Sequence, residues 1–264
     1  MKIYIITMED PVYTNSFFHE IMKVRSNDII GIAIAKGNRF KIAKDRSKIV
    51  YLFTLMVIMG IPFFLENTWK TIYYKTRKKL AECFSFIKSP SLKKMAEHLN
   101  IPVCETDNPN SKFFLEFLRS LQPDIIINQS QFILQKELLD IPKSGVLNRH
   151  NALLPKNRGR LTPFWVLFKK EKETGVSIHF VDEGIDSGDI IVQERFPVEK
   201  NDTFKTIVNK NYRIASAAML RALDIVEKGN FERIKNNNAN SSYNTVPDFK
   251  TALIFRLRRL NLLK

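Results

Sequence analysis

The sequence predicts an α/β fold with a Rossmann-like, mostly parallel sheet, and three observations lead to this prediction. Short β-branched runs alternate with stretches that have the apolar spacing of amphipathic helices. These helical stretches are long enough to serve as the crossover connections that parallel strands require. The chain has 264 residues, of which 44% are hydrophobic and 26% charged, so it can bury the core of one large domain.

The predicted elements follow this alternation along the chain. Strands are expected where β-branched residues cluster between turn-forming residues, at 2–7, 28–35, 102–104, 124–127, 145–150, 176–181 and 189–196. Helices are expected where apolar residues recur every three or four positions, at 14–24, 91–99, 111–121, 161–170 and 203–227.

A hydrophobic and basic helical insertion is predicted after the second strand, at about residues 36–85. Its centre, residues 49–65, is a run of seventeen residues without a charge. This length is at the short limit for a membrane-spanning helix, and both flanks must lie on one side of any membrane because they belong to one sheet. Three interpretations stay open: a buried helix or dimer seam, a helix in a membrane interface, and a re-entrant hairpin turned at Gly60 and Pro62.

The end of the chain is expected to differ from the main domain, which we assign to residues 1–235. Residues 236–244 are rich in asparagine and predict a linker or loop. Residues 249–264 combine arginines with apolar residues at helical spacing, which predicts a basic amphipathic helix. An anionic membrane surface is therefore one candidate partner, bound through residues 49–65 and 250–264.

The net charge of +15 is the main compositional deviation. Lysine and arginine cluster at residues 36–48, 70–79 and 256–264, which suits a solvated basic surface, an anionic membrane or nucleic acid. Cys83 and Cys104 give neither a disulfide framework nor the spacing of a metal site, so no metal is expected. The first residues predict a strand rather than a secretory signal. We expect a cytoplasmic protein, with peripheral attachment to the inner membrane surface as one option.

The residues that carry chemistry follow the apolar run 145–147. In an extended strand Asn148 and His150 project to the same side, while Arg149 projects to the other and is expected to matter much less. An amide donor beside an imidazole suits a developing oxyanion, and the later carboxylate of Asp186 can orient the imidazole or take a proton. With no Ser or Cys beside the pair, the pattern favours acyl-type transfer without a covalent enzyme intermediate.

An ordered set of motifs resembles the formyltransferases that use 10-formyltetrahydrofolate. The set consists of Asn148-x-His150, Leu153-Leu-Pro155 with Arg158-Gly159, and residues 174–180 and 184–190. The family includes glycinamide ribonucleotide, methionyl-tRNA and sugar N-formyltransferases. The resemblance is clear over residues 100–200 and implies the formyltransferase fold.

The resemblance also implies the catalytic roles. Asn148 is expected to donate its amide N–H to the oxyanion, and His150 to add to that stabilisation. Asp186 is expected to fix the tautomer of His150 and to help remove the proton of the attacking amine. His179, one residue of an alternating strand, is expected to be structural rather than catalytic.

The resemblance further implies where the two substrates bind. The donor, 10-formyltetrahydrofolate, is expected against the backbone of two loops beside the catalytic strand, at Phe132, Ile133, Leu134, Val181, Asp182 and Gly184. The acceptor, a small-molecule amine, is expected near Leu154, Pro155 and Arg158. For Arg158, a salt bridge within its loop and a contact with an anionic substrate remain equal alternatives.

The acceptor is only partly constrained by the sequence. The turn after the first strand lacks a glycine-rich phosphate cradle, which disfavours purine synthesis, and the region after residue 200 is shorter than the carboxyl-terminal barrel of the methionyl-tRNA enzymes requires. An amino sugar on a nucleotide- or lipid-linked polysaccharide precursor is the leading expectation. Aminoacyl-tRNA is the alternative, which the charge of +15 supports. From another class, the chain could be a non-catalytic, basic, membrane-peripheral protein on this scaffold.

Overall fold

The computed structural model describes residues 1–10, 12–36, 47–84, 86–229, 231–260 and 262. Most of the basic cluster predicted at residues 36–48, and three of the last four residues, lie outside this described part. The strands are β1 (Ile3–Thr7), β2 (Ile29–Ala35), β3 (Val103–Thr106), β4 (Ile125–Gln129), β5 (Val146–His150), β6 (Arg158–Gly159), β7 (Glu173–Phe180), β8 (Ile190–Pro197) and β9 (Tyr243–Asn244). The helices are α1 (Thr14–Arg25), α2 (Lys48–Met59), α3 (Ile61–Cys83), α4 (Leu92–His98), α5 (Lys112–Leu121), α6 (Lys136–Leu139), α7 (Thr162–Phe168), α8 (Phe204–Lys228) and α9 (Phe249–Arg259).

The central sheet has seven strands in the order β3-β2-β1-β4-β5-β7-β8, which confirms the predicted mostly parallel sheet. β1 to β5 pair in parallel, whereas β7 and β8 are antiparallel to their neighbours. The chain leaves β1 toward β2 and β3 and then returns to β4 on the other side of β1. Such a reversal of strand order opens a crevice at the carboxyl ends of the strands, which is where ligands bind in sheets of this kind.

Hydrophobic cores cover both faces of the sheet. In β1, Ile3 and Ile5 pack on one face with α1, α4 and α8, and Tyr4 and Ile6 pack on the other face with α5. All four are at most 1% exposed. Full burial of such a side chain contributes about 1.5–3 kcal/mol, so both faces hold the strand that positions the crevice.

The predicted insertion consists of two helices, α2 and α3, that meet at Gly60 with a bend of 118°. Gly60 has a φ of 79°, which favours glycine, and Pro62 lies in the first turn of α3. Among the described residues, no single helix is long and apolar enough to cross a membrane, and only this bent pair, taken together, meets that limit.

One face of the insertion belongs to a third hydrophobic cluster. Ile58 of α2 and Phe63 of α3 pack there with Phe164 of α7, Phe204 of α8 and Phe255 of α9. The interpretation as a buried helix therefore holds for this face only.

The tail of the chain packs against the domain. Residues 236–244, expected as a linker or loop, form an ordered loop in which β9 pairs with β6. In α9, Arg256 donates from Nε to the Val57 carbonyl at 2.8 Å and from Nη2 to the Ile58 carbonyl at 3.0 Å. Carbonyls in the last turn of a helix lack partners within it, and a cation is favoured at that end, so Arg256 caps α2.

Replacing this cap is expected to destabilise the protein. Arg256→Met leaves both carbonyls without their donor, which should lower the free energy of unfolding by about 1–3 kcal/mol. Urea unfolding followed by circular dichroism measures the change. Lys250→Met, at an exposed position of the same helix, is the matched control and should change it by less than about 0.5 kcal/mol. Equal midpoints for the two variants would show that the cap does not contribute.

Candidate active site

Two cavities lie at the carboxyl ends of the parallel strands and share a wall. The small cavity, about 420 Å³, is lined by parts of β5, α7, α8 and the insertion. The large cavity, about 860 Å³, is lined by the loops after β4 and β7. Five residues line both cavities: Ser130, Asn148, Gly159, Leu161 and Asp186. Two of the three predicted catalytic residues therefore stand between the cavities, and the third, His150, lines the small one.

His150 is buried at the end of β5, and its contacts fix its tautomer. Its Nε2 lies 2.8 Å from the carbonyl oxygen of Asn157, which can only accept, so Nε2 carries the hydrogen. Its Nδ1 lies 3.4 Å from Oδ2 of Asp186. In the neutral ring Nδ1 then presents a lone pair, which can take up a proton beside the carboxylate.

The electrostatics of this pair favour a neutral imidazole beside an ionised carboxyl. Burial lowers the pKa of His150 below its usual value, although Asp186 acts in the opposite direction. Burial by itself would raise the pKa of Asp186, but the imidazoles of His150 and His179 and the Gly159 N–H hold the pKa of this carboxyl below its usual range. At neutral pH the pair can therefore accept one proton.

Asp186 is held in place by backbone contacts. The Gly159 N–H donates to Oδ2 of Asp186 at 2.8 Å. Gly159 has a φ of 95°, and a Cβ at this position would overlap the carbonyl oxygen of Asn244 in the adjacent β9. Glycine is thus required here both by the backbone conformation and by the close approach of the tail loop.

The amide of Asn148 is oriented by two neighbours. Gln129 donates from Nε2 to Oδ1 of Asn148 at 2.6 Å, and Nδ2 of Asn148 lies 3.2 Å from Nε2 of His179. Because Nδ1 of His179 donates to the Phe180 carbonyl, Nε2 of the neutral ring accepts from Asn148. Within the described ranges, the second amide N–H of Asn148 has no partner. It is a donor placed at the wall between the cavities, as oxyanion stabilisation requires.

His179, predicted to be structural, belongs to the site. It lies opposite Asn148 in the antiparallel pairing of β5 with β7, and its Nε2 is 3.6 Å from Oδ1 of Asp186. It also lines the large cavity. The structural interpretation is therefore corrected, because strand register brings this imidazole to both of the other polar groups.

Gln129 and Arg149 connect Asn148 to α8, which the sequence analysis did not anticipate. Oε1 of Gln129 accepts from Nε of Arg149 at 2.9 Å, and Nη2 of Arg149 donates to the Tyr212 hydroxyl at 3.0 Å. The guanidinium lies 4.8 Å from the Phe17 ring centre and 4.3 Å from that of Tyr212. The expectation that Arg149 matters little is revised, because Arg149 holds Gln129 and Gln129 holds the amide of Asn148.

The residues predicted to contact the donor all line the large cavity. They belong to the loops after β4 and β7, the two neighbours of β5 in the sheet: Phe132, Ile133, Leu134, Val181, Asp182 and Gly184. Oδ1 of Asp182 accepts from the Gly184 N–H at 3.1 Å and from the Ser187 hydroxyl at 2.6 Å, which closes the second loop. A cavity with apolar side chains and backbone polar groups suits a flat ring with hydrogen-bonding edges.

Leu154, Pro155 and Arg158, predicted to contact the acceptor, line neither cavity. The backbone N–H of Leu154 donates to Oγ of Ser177, which ties this segment to β7. Arg158 is 8% exposed, and its Nη2 donates to Oδ1 of Asn236 at 2.7 Å. We therefore correct the assignment: this segment braces the loops around the site, and Arg158 is bound within the protein.

The small cavity is instead walled by residues that the sequence analysis did not single out. Among its lining residues are apolar and aromatic side chains from the loop before α1, the insertion and α8: Tyr13, Met59, Phe63, Phe204, Val208 and Tyr212. The rings of Tyr13 and Tyr212 stack with centres 4.6 Å apart. The uncharged run at residues 49–65 was the available signal, since it supplies Met59 and Phe63.

The fold and the site together define a group-transfer enzyme, in which two cavities meet at an amide donor and a carboxylate. In the described part of the chain, no three His, Cys, Asp or Glu side chains come together in a way that could hold a metal ion.

The chain belongs to the formyl transferase family, because the family model with that description matches residues 88–223. It is thus an enzyme that transfers formyl groups.

Individual relatives agree with this assignment. The methionyl-tRNA formyltransferase of Wolbachia sp. subsp. Drosophila simulans (strain wRi) is 34% identical over 207 residues, which are 74% of this chain and 68% of that protein. The methionyl-tRNA formyltransferase of Clostridioides difficile (strain 630) is 36% identical over 153 residues, 58% of this chain. The chain spans 50% of the length of that second relative.

A solved structure shows the same fold. The N-formyltransferase of Helicobacter canadensis, in complex with folinic acid and dTDP-3-aminofucose, superimposes with a TM-score of 0.61 at 19% identity. The match covers 98% of this chain and 80% of that one.

The buried imidazole is expected to make stability sensitive to acid. Burial lowers the pKa of His150, so as the pH falls through about 6.5 this imidazole takes up a proton in the unfolded chain before it does so in the folded protein. The free energy of unfolding therefore decreases with pH, from about 6.5 down to the lowered pKa of the folded state. The Asp186 carboxyl adds a further loss at lower pH, because its pKa is also lowered. His150→Gln should show a weaker loss between about pH 7 and pH 5 than wild type.

Urea unfolding midpoints at stepped pH test this expectation. His98→Gln removes an exposed imidazole on α4 and is the matched control, which should keep the wild-type loss. If His150→Gln and His98→Gln lose stability in parallel, the buried imidazole is not the source of the acid sensitivity.

The chain of contacts behind Asn148 is expected to govern turnover. Gln129→Ala and Arg149→Met should lower kcat for formyl transfer by up to about a hundredfold with a smaller change in KM, because misplacing the donor acts on the transition state. Arg233→Met removes a guanidinium 4.0 Å from the Phe180 ring centre and is the control, expected to keep kcat. An unchanged kcat in both test variants would exclude a positioning role.

Proposed function

We propose that the protein transfers the formyl group of 10-formyltetrahydrofolate to a primary amine of an amino sugar on a nucleotide- or lipid-linked precursor. The observation that carries this proposal is the wall shared by the two cavities. Its amide and carboxylate can contact ligands on both sides. A donor in the large cavity and an acceptor in the small cavity then meet at Asn148 and Asp186.

The large cavity suits the donor. Apolar side chains, including Phe132, Ile133 and Val181, can cover the faces of a pterin ring, and the loop backbone can bond its edges. When bound, 10-formyltetrahydrofolate supplies the formyl carbon. The free N–H of Asn148 agrees with a formyl group in this cavity, because Asn148 lines the cavity and can donate to a formyl oxygen that gains negative charge. Losing one such donor typically costs about 2.7–4 kcal/mol of barrier.

The pair of His150 and Asp186 handles the proton. An amine becomes a nucleophile only in its neutral form and must lose a proton once it has bonded to the formyl carbon. Nδ1 of neutral His150, beside the carboxylate of Asp186, can take up that proton. The carboxylate then stabilises the imidazolium, while the Asn157 carbonyl keeps the ring in one orientation. The bond between the formyl carbon and the folate nitrogen then breaks, and the proton passes to that nitrogen, so that tetrahydrofolate leaves and the pair returns to its starting state.

The small cavity supports an amino sugar as acceptor. Its stacked rings of Tyr13 and Tyr212, with Phe63 and Phe204, offer flat apolar surfaces against which a nucleobase or the face of a sugar can pack. The fold neighbour from Helicobacter canadensis is in complex with folinic acid and dTDP-3-aminofucose, which is the same combination of a folate with an amino sugar.

The formylation of methionyl-tRNA is the second candidate. The relatives with 34% and 36% identity are named methionyl-tRNA formyltransferases. The net charge of +15 also suits a polyanionic acceptor. The two candidates differ in the acceptor and share the donor, the amide and the proton acceptor.

Direct assay separates the candidates. The enzyme is incubated with 10-formyltetrahydrofolate and, in parallel, a panel of nucleotide-linked amino sugars and charged initiator tRNA. Mass spectrometry is expected to detect the gain of one formyl group on an amino sugar. Asn148→Ala should lower that rate by about a hundred- to a thousandfold, since an oxyanion donor is lost. Formylation of the tRNA alone would replace the leading proposal by the second candidate.

Thermal shift with folinic acid tests whether the scaffold still binds the donor. Ligand at about 100 times its dissociation constant should stabilise the folded state by about 2.7 kcal/mol. A shift without turnover on any acceptor means that the acceptor is missing from the panel. No shift at saturating ligand would favour a non-catalytic protein on a formyltransferase scaffold.

A further inference from the structure

We infer that the bent helix pair α2–α3 docks on the surface of an anionic phospholipid bilayer. Helix α3 carries the first observation, because it has two apolar faces. Phe63 and Tyr74 are 5% and 8% exposed and pack against the domain. The opposite face holds a stripe of apolar side chains that are 52–69% exposed: Ile61, Leu65, Trp69, Ile72 and Tyr73. At 3.6 residues per turn they fall within an arc of about 120°.

Helix α2 repeats this arrangement. Thr54 and Ile58 are 1% exposed and face the domain, whereas Ile49, Val50, Leu52 and Phe53 are 41–64% exposed. No charged residue occurs between Lys48 and Glu66. Exposed apolar surfaces of this extent are rare on soluble monomers and mark sites that a partner covers.

The residues around the α3 stripe indicate the chemistry of that partner. Trp69 and Tyr73 have the amphipathic rings that are favoured at the level of lipid headgroups. Lys75 and Lys79 follow on the same helix, both exposed, and no ion pair of theirs is found in the described ranges. Lys70 adds no net positive charge to this surface, because its ammonium pairs with the Glu66 carboxylate at 2.7 Å. An apolar stripe followed by lysines fits a bilayer with acidic headgroups.

The tail helix brings further positive charge next to the insertion. α9 packs against α2 and contains no acidic residue between its ends at Phe249 and Arg259. Leu253 and Arg258 of this helix are exposed. The helix beside α2 is therefore basic as well, which agrees with an anionic partner.

The bend determines how the pair meets the bilayer. α2, with 12 residues, is too short to cross the hydrocarbon core, and α3, with 23, is not apolar enough to do so. With a bend of 118° between them, both can instead lie in the interface. A nucleic acid would neutralise the lysines but leave the apolar stripe in water. A second copy of the chain would cover the stripe but bring like charges together. A bilayer satisfies both features.

Docking also has a consequence for the small cavity. Met59 and Phe63, at the junction of the two helices, line that cavity from the domain side. A docked pair therefore holds the small cavity near the lipid surface. If the proposed function holds, this position favours an acceptor amine that is carried by a lipid. The docking inference itself does not depend on the proposed function.

Flotation with lipid vesicles tests the docking. The protein is mixed with vesicles of phosphatidylcholine alone or of phosphatidylcholine with phosphatidylglycerol. We expect it to float with the anionic vesicles, and the bound fraction to fall as salt screens the headgroups. Protein that stays at the bottom of the gradient with anionic vesicles, or that binds both kinds equally, would overturn the inference.

Matched variants localise the contact. Leu65→Ser with Trp69→Ser should weaken binding to anionic vesicles by at least about tenfold, because two apolar side chains are lost from the interface. Phe113→Ser is the control: Phe113 is 82% exposed on α5, away from the insertion, and its loss should leave binding unchanged.

Lys75→Glu with Lys79→Glu should also weaken binding by about tenfold or more. Lys93→Glu with Lys112→Glu is the control, because it makes the same charge change elsewhere on the protein. Test variants that bind like their controls would refute this surface.

Tryptophan fluorescence and the molecular mass in solution test the docking without any activity measurement. The chain has two tryptophans, so Trp165→Phe leaves Trp69 as the single reporter, and its emission should shift to the blue on anionic vesicles. Circular dichroism confirms that each variant is folded.

Two other outcomes would identify a different partner. If light scattering detects a dimer that dissociates in Leu65→Ser with Trp69→Ser, the surface is an interface between two copies of the chain. Loss of tRNA binding in the lysine variants, without vesicle binding by wild type, would identify nucleic acid as the partner.

Discussion

The hydrogen bond from the Gly159 N–H to the Asp186 carboxylate is the contact on which the site depends. It joins the loop after β7 to β6 and holds the carboxylate beside the imidazoles of His150 and His179. The backbone at Gly159 adopts a positive φ, and β9 packs directly against it, so that only glycine fits at this position. The tail loop thereby takes part in shaping the candidate active site.

The three polar groups of the centre are each fixed from a different direction. The Asn157 carbonyl orients the imidazole of His150, and the Gly159 N–H orients the carboxylate. The amide of Asn148 is oriented through Gln129, which in turn is held by Arg149. Arg149 lies among the rings of Phe17 and Tyr212 and also lines the small cavity, so a buried cation at the edge of the site supports the Asn148 amide through Gln129. Groups that are oriented in advance lose little free energy to reorganisation when charge develops in the reaction.

Much of this arrangement could be predicted from local sequence. The β-branched runs located the strands to within a few residues, because β1, β2 and β4 are buried on both faces and therefore leave nearly continuous apolar runs in the sequence. Asn148, His150 and Asp186 could be named because an ordered motif carries them, and the loops beside β5 could be named with them. The role of His179 could not be foreseen, since it depends on which strand pairs with β5 and in what register.

The walls of the small cavity could not be predicted for a similar reason. Tyr13, Phe63 and Tyr212 are far apart in sequence and meet only through packing. Residues 49–65 could be recognised as apolar, but which of their faces would be buried depends on α7, α8 and α9. Conversely, Leu154 and Arg158 lie close to the motif in sequence, and this proximity made them misleading candidates for a substrate contact.

The thin partition between the two cavities has a thermodynamic consequence. Ser130, Asn148, Gly159, Leu161 and Asp186 line both sides, so a molecule on one side can contact the same residues as a molecule on the other. Their affinities are then coupled, and by linkage each molecule must alter the binding constant of the other by the same factor. The order in which the two molecules arrive can change the rates of assembly but not the stability of the ternary complex.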